Sequence, residues 1–205
     1  MSGNLFVISA PSGAGKTSLV SALIKINPQI DLSVSYTSRK PRPGERDGKD
    51  YHFVSRETFL SMAKSGEFLE SAEVYGNLYG TSQTWISEKN AEGRDILLEI
   101  DWQGAAQIRR QFPECICIFI LPPSLEVLEQ RLKGRGKDDN EVIAKRLAAV
   151  SADVAHISEF DYVIINDNLD EALQELNAIV ISARLKCARQ LAVHQDLINQ
   201  LQYPE

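Results

Sequence analysis

Apolar positions along the chain fall into two rhythms. In one, short runs are apolar at nearly every position: LFVIS at Leu5–Ser9, DILLEID at 95–101, CICIFIL at 115–121 and YVIIN at 162–166. Such runs predict strands buried on both faces. In the other, apolar residues recur at helical spacing, which predicts helices over Lys16–Ile26, 55–68, Leu125 to about Gly134, 140–157 and 169–200. Ser55 suits an N-cap and Gly66 a stop for the helix at 55–68. The segment 169–200 reads as one long amphipathic helix. Alternation in DLSVSYTS predicts a further strand at 31–38, and EVYGNLYGTS a strand–turn–strand at 73–82.

Doubly buried strands alternating with helices describe an α/β protein with a parallel sheet core flanked by helices. The segment 35–82 has a different, partly antiparallel texture and predicts an inserted subdomain. The polar break GRGKDD at 134–139 suits the hinge of a mobile segment. There is no internal repeat and no low-complexity tract.

Composition narrows the function classes. A chain of 205 residues with 43% hydrophobic and 24% charged residues is long enough for one α/β domain with a substantial core, or for two small ones. A net charge of −6 argues against broad nucleic-acid or membrane-surface binding, while leaving room for a local basic pocket. No apolar run approaches a membrane span, and MSGNLFVISAPSG has no basic start or long apolar stretch of a signal peptide. Cys115, Cys117 and Cys187 form neither a CxxC pair nor an even framework. Cys115 and Cys117 alternate with apolar residues and are expected to pack as small hydrophobes, in a reduced cytoplasmic protein.

The first chemical signal lies between the first strand and helix, where residues 10–17 read APSGAGKT. This is the phosphate-loop pattern GxxxxGK[ST] with Ala10 in place of the first glycine. In such a loop the backbone of Ala10, Pro11, Ser12, Gly13, Ala14, Gly15, Lys16, Thr17 and Ser18 wraps a nucleotide phosphate. Gly13 and Gly15 allow successive N–H groups to face one anion, and the following helix adds its N-terminal partial charge. Lys16 would reach the β- and γ-phosphates and the Thr17 hydroxyl a magnesium ion. The motif is strong for nucleotide phosphate and nearly silent on reaction class.

A second loop, RKPRPGERDGKDYHF at 39–53, carries Arg39 and Arg42 around Pro41, with Tyr51 further on. Two guanidinium forks on a proline-stiffened loop suit a dianionic phosphate. The same stretch suits equally well a solvated loop in which the arginines pair with Glu45, Asp47 or Asp50. Glu99 and Asp101, two apart at the end of a strand, point the same way, toward the crevice at the carboxyl ends of a parallel sheet. Binding and a structural pair are both open for them. His52, His156 and His194 form no catalytic constellation and read as structural or surface residues.

Longer stretches carry a resemblance. SVSYTSRKPRPGERDGKDYHFVS, GEFLESAEVYGNLYGTS, LLEIDWQG and RLKGRGKDD resemble the guanylate kinase family, and with the phosphate loop and VIIND they cover most of 4–185 in family order. Departures are Ala10, Trp102 in DWQG, and the extension 186–205, which carries no family motif. The resemblance implies the P-loop nucleoside-monophosphate kinase fold: a core (about 1–33, 83–125 and 156–205), a GMP-binding subdomain (about 34–82) and a mobile helical lid (about 126–155). It implies transfer of a phosphoryl group from ATP to GMP, with Mg²⁺. The alternatives are a family-like binding module without catalysis, or a related kinase with another acceptor.

The resemblance also implies roles. Ser35, Glu70 and Thr81 match contacts to guanine, with Asp101 nearby. Arg39, Arg42, Tyr51 and Tyr79 match ligands of the GMP phosphate. Glu70 has a chemical rationale, because guanine offers two adjacent N–H donors that one carboxylate accepts and adenine does not. Asp101 is expected to order magnesium-bound water or GMP, with Glu99 behind it. In the lid, Arg135 and Arg146, with Arg131, would neutralise the transferring group while water is excluded. Asn166 and Asp167 match the loop on the ATP side. Lys16, Arg39, Arg135 and Arg146 are the expected catalytic cations. The tail 186–205 would pack on its own chain or in a homo-oligomer.

Overall fold

The computed structural model describes residues 3–134 and 140–203. Its main sheet has five parallel strands in the order β2 (Ile30–Leu32), β7 (Asp95–Glu99), β1 (Leu5–Ser9), β8 (Ile116–Leu121), β9 (Tyr162–Ile165). The near-continuous apolar runs follow from burial on both faces. In β1, Phe6 and Ile8 face one core and Val7 the other; in β8, Ile116, Ile118 and Ile120 face the first, and Cys117, with Cys115 just before the strand, sits in the second. The first core is closed by α1 (Lys16–Ile26) through Leu19, Val20 and Leu23, and by α7 (Leu169–Arg184) through Leu176 and Val180. The second is closed by Ile86 of α3 (Gln83–Ala91) and Ile108 of α4 (Trp102–Gln111). Each fully buried aliphatic side chain contributes roughly 1.5–3 kcal/mol of transfer free energy.

The inserted segment forms a second sheet, in the order β4 (His52–Phe53), β3 (Tyr36–Thr37), β6 (Asn77–Ser82), β5 (Phe68–Val74). Only the β3–β4 pair is parallel. Helix α2 (Arg56–Lys64) starts where expected, with the Ser55 side chain accepting from the Thr58 amide, and its Phe59 stacks on Phe68 at 4.5 Å. Helices α5 (Leu125–Gly134) and α6 (Asn140–Val154) share a separate apolar seam of Leu128, Leu132, Ile143 and Val150. A single 3₁₀ turn at Ile157–Glu159 follows.

Three expectations are corrected. The strand anticipated at 31–38 is two strands in different sheets, because residues 33–35 carry the chain from one sheet to the other; a period of two is blind to which sheet a residue joins. Helices α3 and α4 were not anticipated: α3 buries only Ile86, and α4 is largely polar with Gly104, Ala105 and Ile108 inside. The helix anticipated at 169–200 is three, α7, α8 (Cys187–Val193) and α9 (Gln195–Gln202). The break has a polar cause. Asp95, 2% exposed, accepts from Arg184 Nε at 2.7 Å and is paired with Arg189 at 3.2 Å, while Gln190 Nε2 donates to the Arg184 carbonyl at 2.9 Å. In a continuous helix Arg189, five residues on, would be turned about 140° around the axis from Arg184, away from the carboxylate that Arg184 meets. Among the described residues no helix is long and apolar enough to cross a membrane.

Candidate active site

The carboxyl ends of β1, β7 and β9 converge on the loop after β1. Gly13 and Gly15 hold φ of 96° and 94°, a region that L side chains rarely adopt. A Cβ on Gly15 would lie 2.3 Å from Asn166 Nδ2, which donates to the Ala14 carbonyl at 2.8 Å. Asn166 therefore locks the loop from beneath. Ala10 needs no glycine: it has no positive φ, and its methyl packs against the first core. Lys16 Nζ reaches the Ile100 carbonyl at 3.1 Å, and the Thr17 hydroxyl donates to the Glu99 carboxylate. Ser18 is exposed on the first turn of α1.

Across a crevice of about 360 Å³ stands the second sheet with its arginine loop. Ser35, Arg42, Tyr51, Glu70 and Tyr79 line that side, and Asp101 the floor. The loop takes the paired reading at Arg39, while Arg42 faces the crevice. Arg39 makes a two-pronged ion pair with Glu45, both contacts at 2.9 Å, and Glu45 also accepts from the Arg42 amide at 2.6 Å. Asp47 and Asp50 accept backbone amides of Phe53 and Arg46 and so fold the loop. Burial works against the charge on Arg39, yet the Glu45 carboxylate and Tyr79 outweigh it and hold its pKa above the ordinary value. Burial also pushes the Tyr51 phenol well up.

Glu70 is 4% exposed, and its Oε1 accepts the hydroxyl of the fully buried Thr81 at 2.6 Å. Burial pushes its pKa up to about 7, against the pull of the Thr81 bond and with a further push from Asp101. Asp101 is the N-cap of α4, accepting from the Gly104 amide at 2.9 Å and from Gln103 Nε2 at 3.0 Å.

Of the lid arginines, Arg146 is buried and lines the crevice from α6. Arg131 points elsewhere, donating to the carbonyls of Asn166 at 2.9 Å and Asp167 at 3.4 Å, so it braces the loop after β9. Arg135 lies outside the described residues. Three lining residues carried no sequence signal as site residues. Asp153 of α6 is raised to about 6, first by burial and then by Asp101. Tyr75, at φ 50°, sits at the tip of the β5–β6 hairpin. Trp102, noted only as a departure, stacks on His156 at 3.5 Å. That stack and a 2.7 Å contact with Glu159 give His156 a structural role, and His52 stacks on Tyr36 at 4.6 Å.

A phosphate loop facing a second, arginine-lined pocket across one crevice, with helices folded over both, defines a P-loop kinase that acts on a small phosphorylated acceptor. The guanylate kinase family model matches residues 2–183. The chain belongs to the guanylate kinase family. It is 59% identical over 198 residues to the guanylate kinase of Thiobacillus denitrificans, covering 97% of this chain and 95% of that one. It is 58% identical over 199 residues to that of Nitrosospira multiformis, again covering 97% and 95%. The crystal structure of guanylate kinase from Anaplasma phagocytophilum superposes with a TM-score of 0.82 at 33% identity, covering 100% of this chain and 98% of that one.

Proposed function

We infer that the chain is an ATP:GMP phosphotransferase, converting ATP and GMP to ADP and GDP. The observation that carries the acceptor assignment is Glu70: a buried carboxylate, anchored by Thr81, in the same crevice as the phosphate loop. Guanine presents its ring N–H and exocyclic amine side by side to such a carboxylate, with Ser35 on the same wall. Arg42, Tyr51 and Tyr79 would hold the GMP phosphate, and Arg39 would join them by exchanging Glu45 for the incoming dianion. The loop 10–18 would hold the ATP phosphates, with Asn166 keeping it in shape.

The nucleophile is a phosphate oxygen of GMP. With a second pKa of about 6, it is a dianion at neutral pH, so no general base is required. The chain's work is alignment, charge neutralisation and exclusion of water. Lys16 and Arg146 both line the crevice, and Arg135 would add a third cation when the segment 126–155 closes as a lid over the core and the subdomain 34–82. The Thr17 hydroxyl beside Glu99, with Asp101 close by, is an all-oxygen donor set that fits Mg²⁺. When bound with ATP, that ion supplies further charge neutralisation at the phosphates. A cytoplasmic location belongs to this proposal and is supported by three free cysteines.

Measuring ADP formation with GMP, AMP, UMP and dTMP in parallel tests the reading. GMP should be turned over far faster than the others; equal rates would sink the guanine assignment.

A further inference from the structure

Strand β5 is the edge of the second sheet, and its open side is covered by α4 rather than by another strand. The cover is a ladder of glutamines. Gln111 Nε2 donates to the Leu69 carbonyl at 2.8 Å. Gln107 Nε2 donates to the Ser71 carbonyl at 2.8 Å, and its Oε1 accepts from the Ser71 amide at 3.2 Å. Gln103 Nε2 reaches toward the Glu73 carbonyl at 3.5 Å. Four residues of helix rise about 6.0 Å and two residues of strand about 6.6 Å, so a glutamine on every fourth helical position meets every second strand residue with little slippage.

Glu70 lies between the two best-held positions, at an irregularity in the β5–β6 register between Phe68 and Glu70. Bulges of this kind re-aim a side chain. The carboxylate then runs directly over Gly104: a Cβ there would lie 2.5 Å from Glu70 Oε2 and 3.1 Å from its Cδ. The Gly104 amide is already taken by Asp101, so what Gly104 offers Glu70 is space.

We propose that α4 aims the acceptor-reading carboxylate: Gln107 and Gln111 fix the backbone on either side of Glu70, and Gly104 leaves the room its carboxylate occupies. All three are positioning residues for base specificity. This rests on the reading of Glu70 as the guanine contact.

The test compares wild type, Gly104→Ala, Gln107→Leu and Glu70→Gln on GMP and on inosine monophosphate, which lacks the exocyclic amine, with KM for ATP and thermal melting alongside. In Gly104→Ala the gain in helix propensity opposes the cost of displacing the buried carboxylate, so the melting temperature should change little. The variant's preference for GMP over inosine monophosphate, as a ratio of kcat/KM, should nevertheless fall about tenfold or more, with KM for ATP unchanged. Gln107→Leu should move the ratio the same way. A purely structural role would lower both substrates together and leave the ratio alone. If wild type discriminates through Glu70 but Gly104→Ala keeps the ratio, the inference is overturned while the function stands. A wild type whose preference survives Glu70→Gln, or that has none, overturns the guanine reading and this inference with it.

Discussion

The Thr81 hydroxyl donates to Glu70 at 2.6 Å between two buried side chains, and burial still lifts the Glu70 pKa to about 7. The bare site therefore carries a proton across much of the mildly acidic range. Guanine offers donors and needs the ionised carboxylate, so GMP binding must expel that proton. KM for GMP should fall as pH rises from about 6 to about 8. In Glu70→Gln only the gentler dependence of the GMP phosphate, near pH 6, should persist. Parallel profiles for the two proteins would refute the assignment.

The same shift predicts a stability slope. Between about 4.5 and about 7 the folded protein binds more protons at Glu70 than the unfolded chain does, so rising pH removes stability across that window. The full effect is on the order of 3 kcal/mol. The melting temperature of wild type relative to Glu70→Gln should decline from pH 4.5 to 7 and level off above it, as read by calorimetry.

Lys16 and Glu70 both line the crevice, the one proposed for the donor and the other for the acceptor, and truncation should separate them. Lys16→Ala removes a cation that donates to the Ile100 carbonyl. Phosphoryl transfer should drop by several orders of magnitude, with GMP affinity measured by calorimetry nearly intact. Loss of GMP binding in this variant would mean the donor and acceptor halves are misassigned.

Gly15→Ala brings two penalties together, a φ of 94° that alanine adopts poorly and a Cβ 2.3 Å from Asn166 Nδ2. The loop or the Asn166 bond to Ala14 must give way. Stability should fall by more than about 1 kcal/mol, and KM for ATP should rise while KM for GMP holds. An unchanged KM for ATP would show that the loop does not need this shape.

What the sequence revealed and what it hid divide along physical lines. Strand β1 and helix α1 were legible to the residue because a doubly buried strand and a glycine–lysine–threonine turn are both local signals. The break after Arg184 was invisible because its cause, Asp95, is 89 residues away. Helix α4 was missed for a related reason: its contacts are glutamine side chains reaching a strand backbone, which leave no apolar stripe. In the site, Lys16, Thr17, Arg42 and Glu70 fell on recognisable motifs and line one crevice. Arg131 was expected there as part of the lid that the resemblance implies; its guanidinium instead braces the loop at Asn166, since a guanidinium in sequence does not disclose which carbonyls it will meet. Asp153 and Tyr75 enter only because α6 and the β5–β6 hairpin close over the crevice.

Asp95 offers the sharpest test of how the tail is held. Its carboxylate, 2% exposed, accepts the Asn4 amide at 2.8 Å, Asn4 Nδ2 at 3.0 Å and Arg184 Nε at 2.7 Å, with Arg189 at 3.2 Å. Four donors from three chain segments thus meet at the amino end of β7, and the Arg184 Nη2 beside them is buried with no hydrogen-bond partner among the described residues. Replacing Asp95 with alanine leaves Arg184 and Arg189, each about a fifth exposed, without their carboxylate, although Arg184 keeps Asn27 Oδ1 at 3.1 Å, so the cost should reach at most that of breaking a buried pair, about 3–5 kcal/mol. For a chain of this size that corresponds to a melting temperature lower by roughly 6–20 °C. Asp95→Asn keeps an acceptor and should fall between. The crevice lies at the other end of β7, so kinetics measured well below the melting transition should match wild type in both variants. A melting shift under about 2 °C, or a selective change in KM for either substrate, would show that the network does not act as the clamp that ends α7 and folds α8 back onto the sheet.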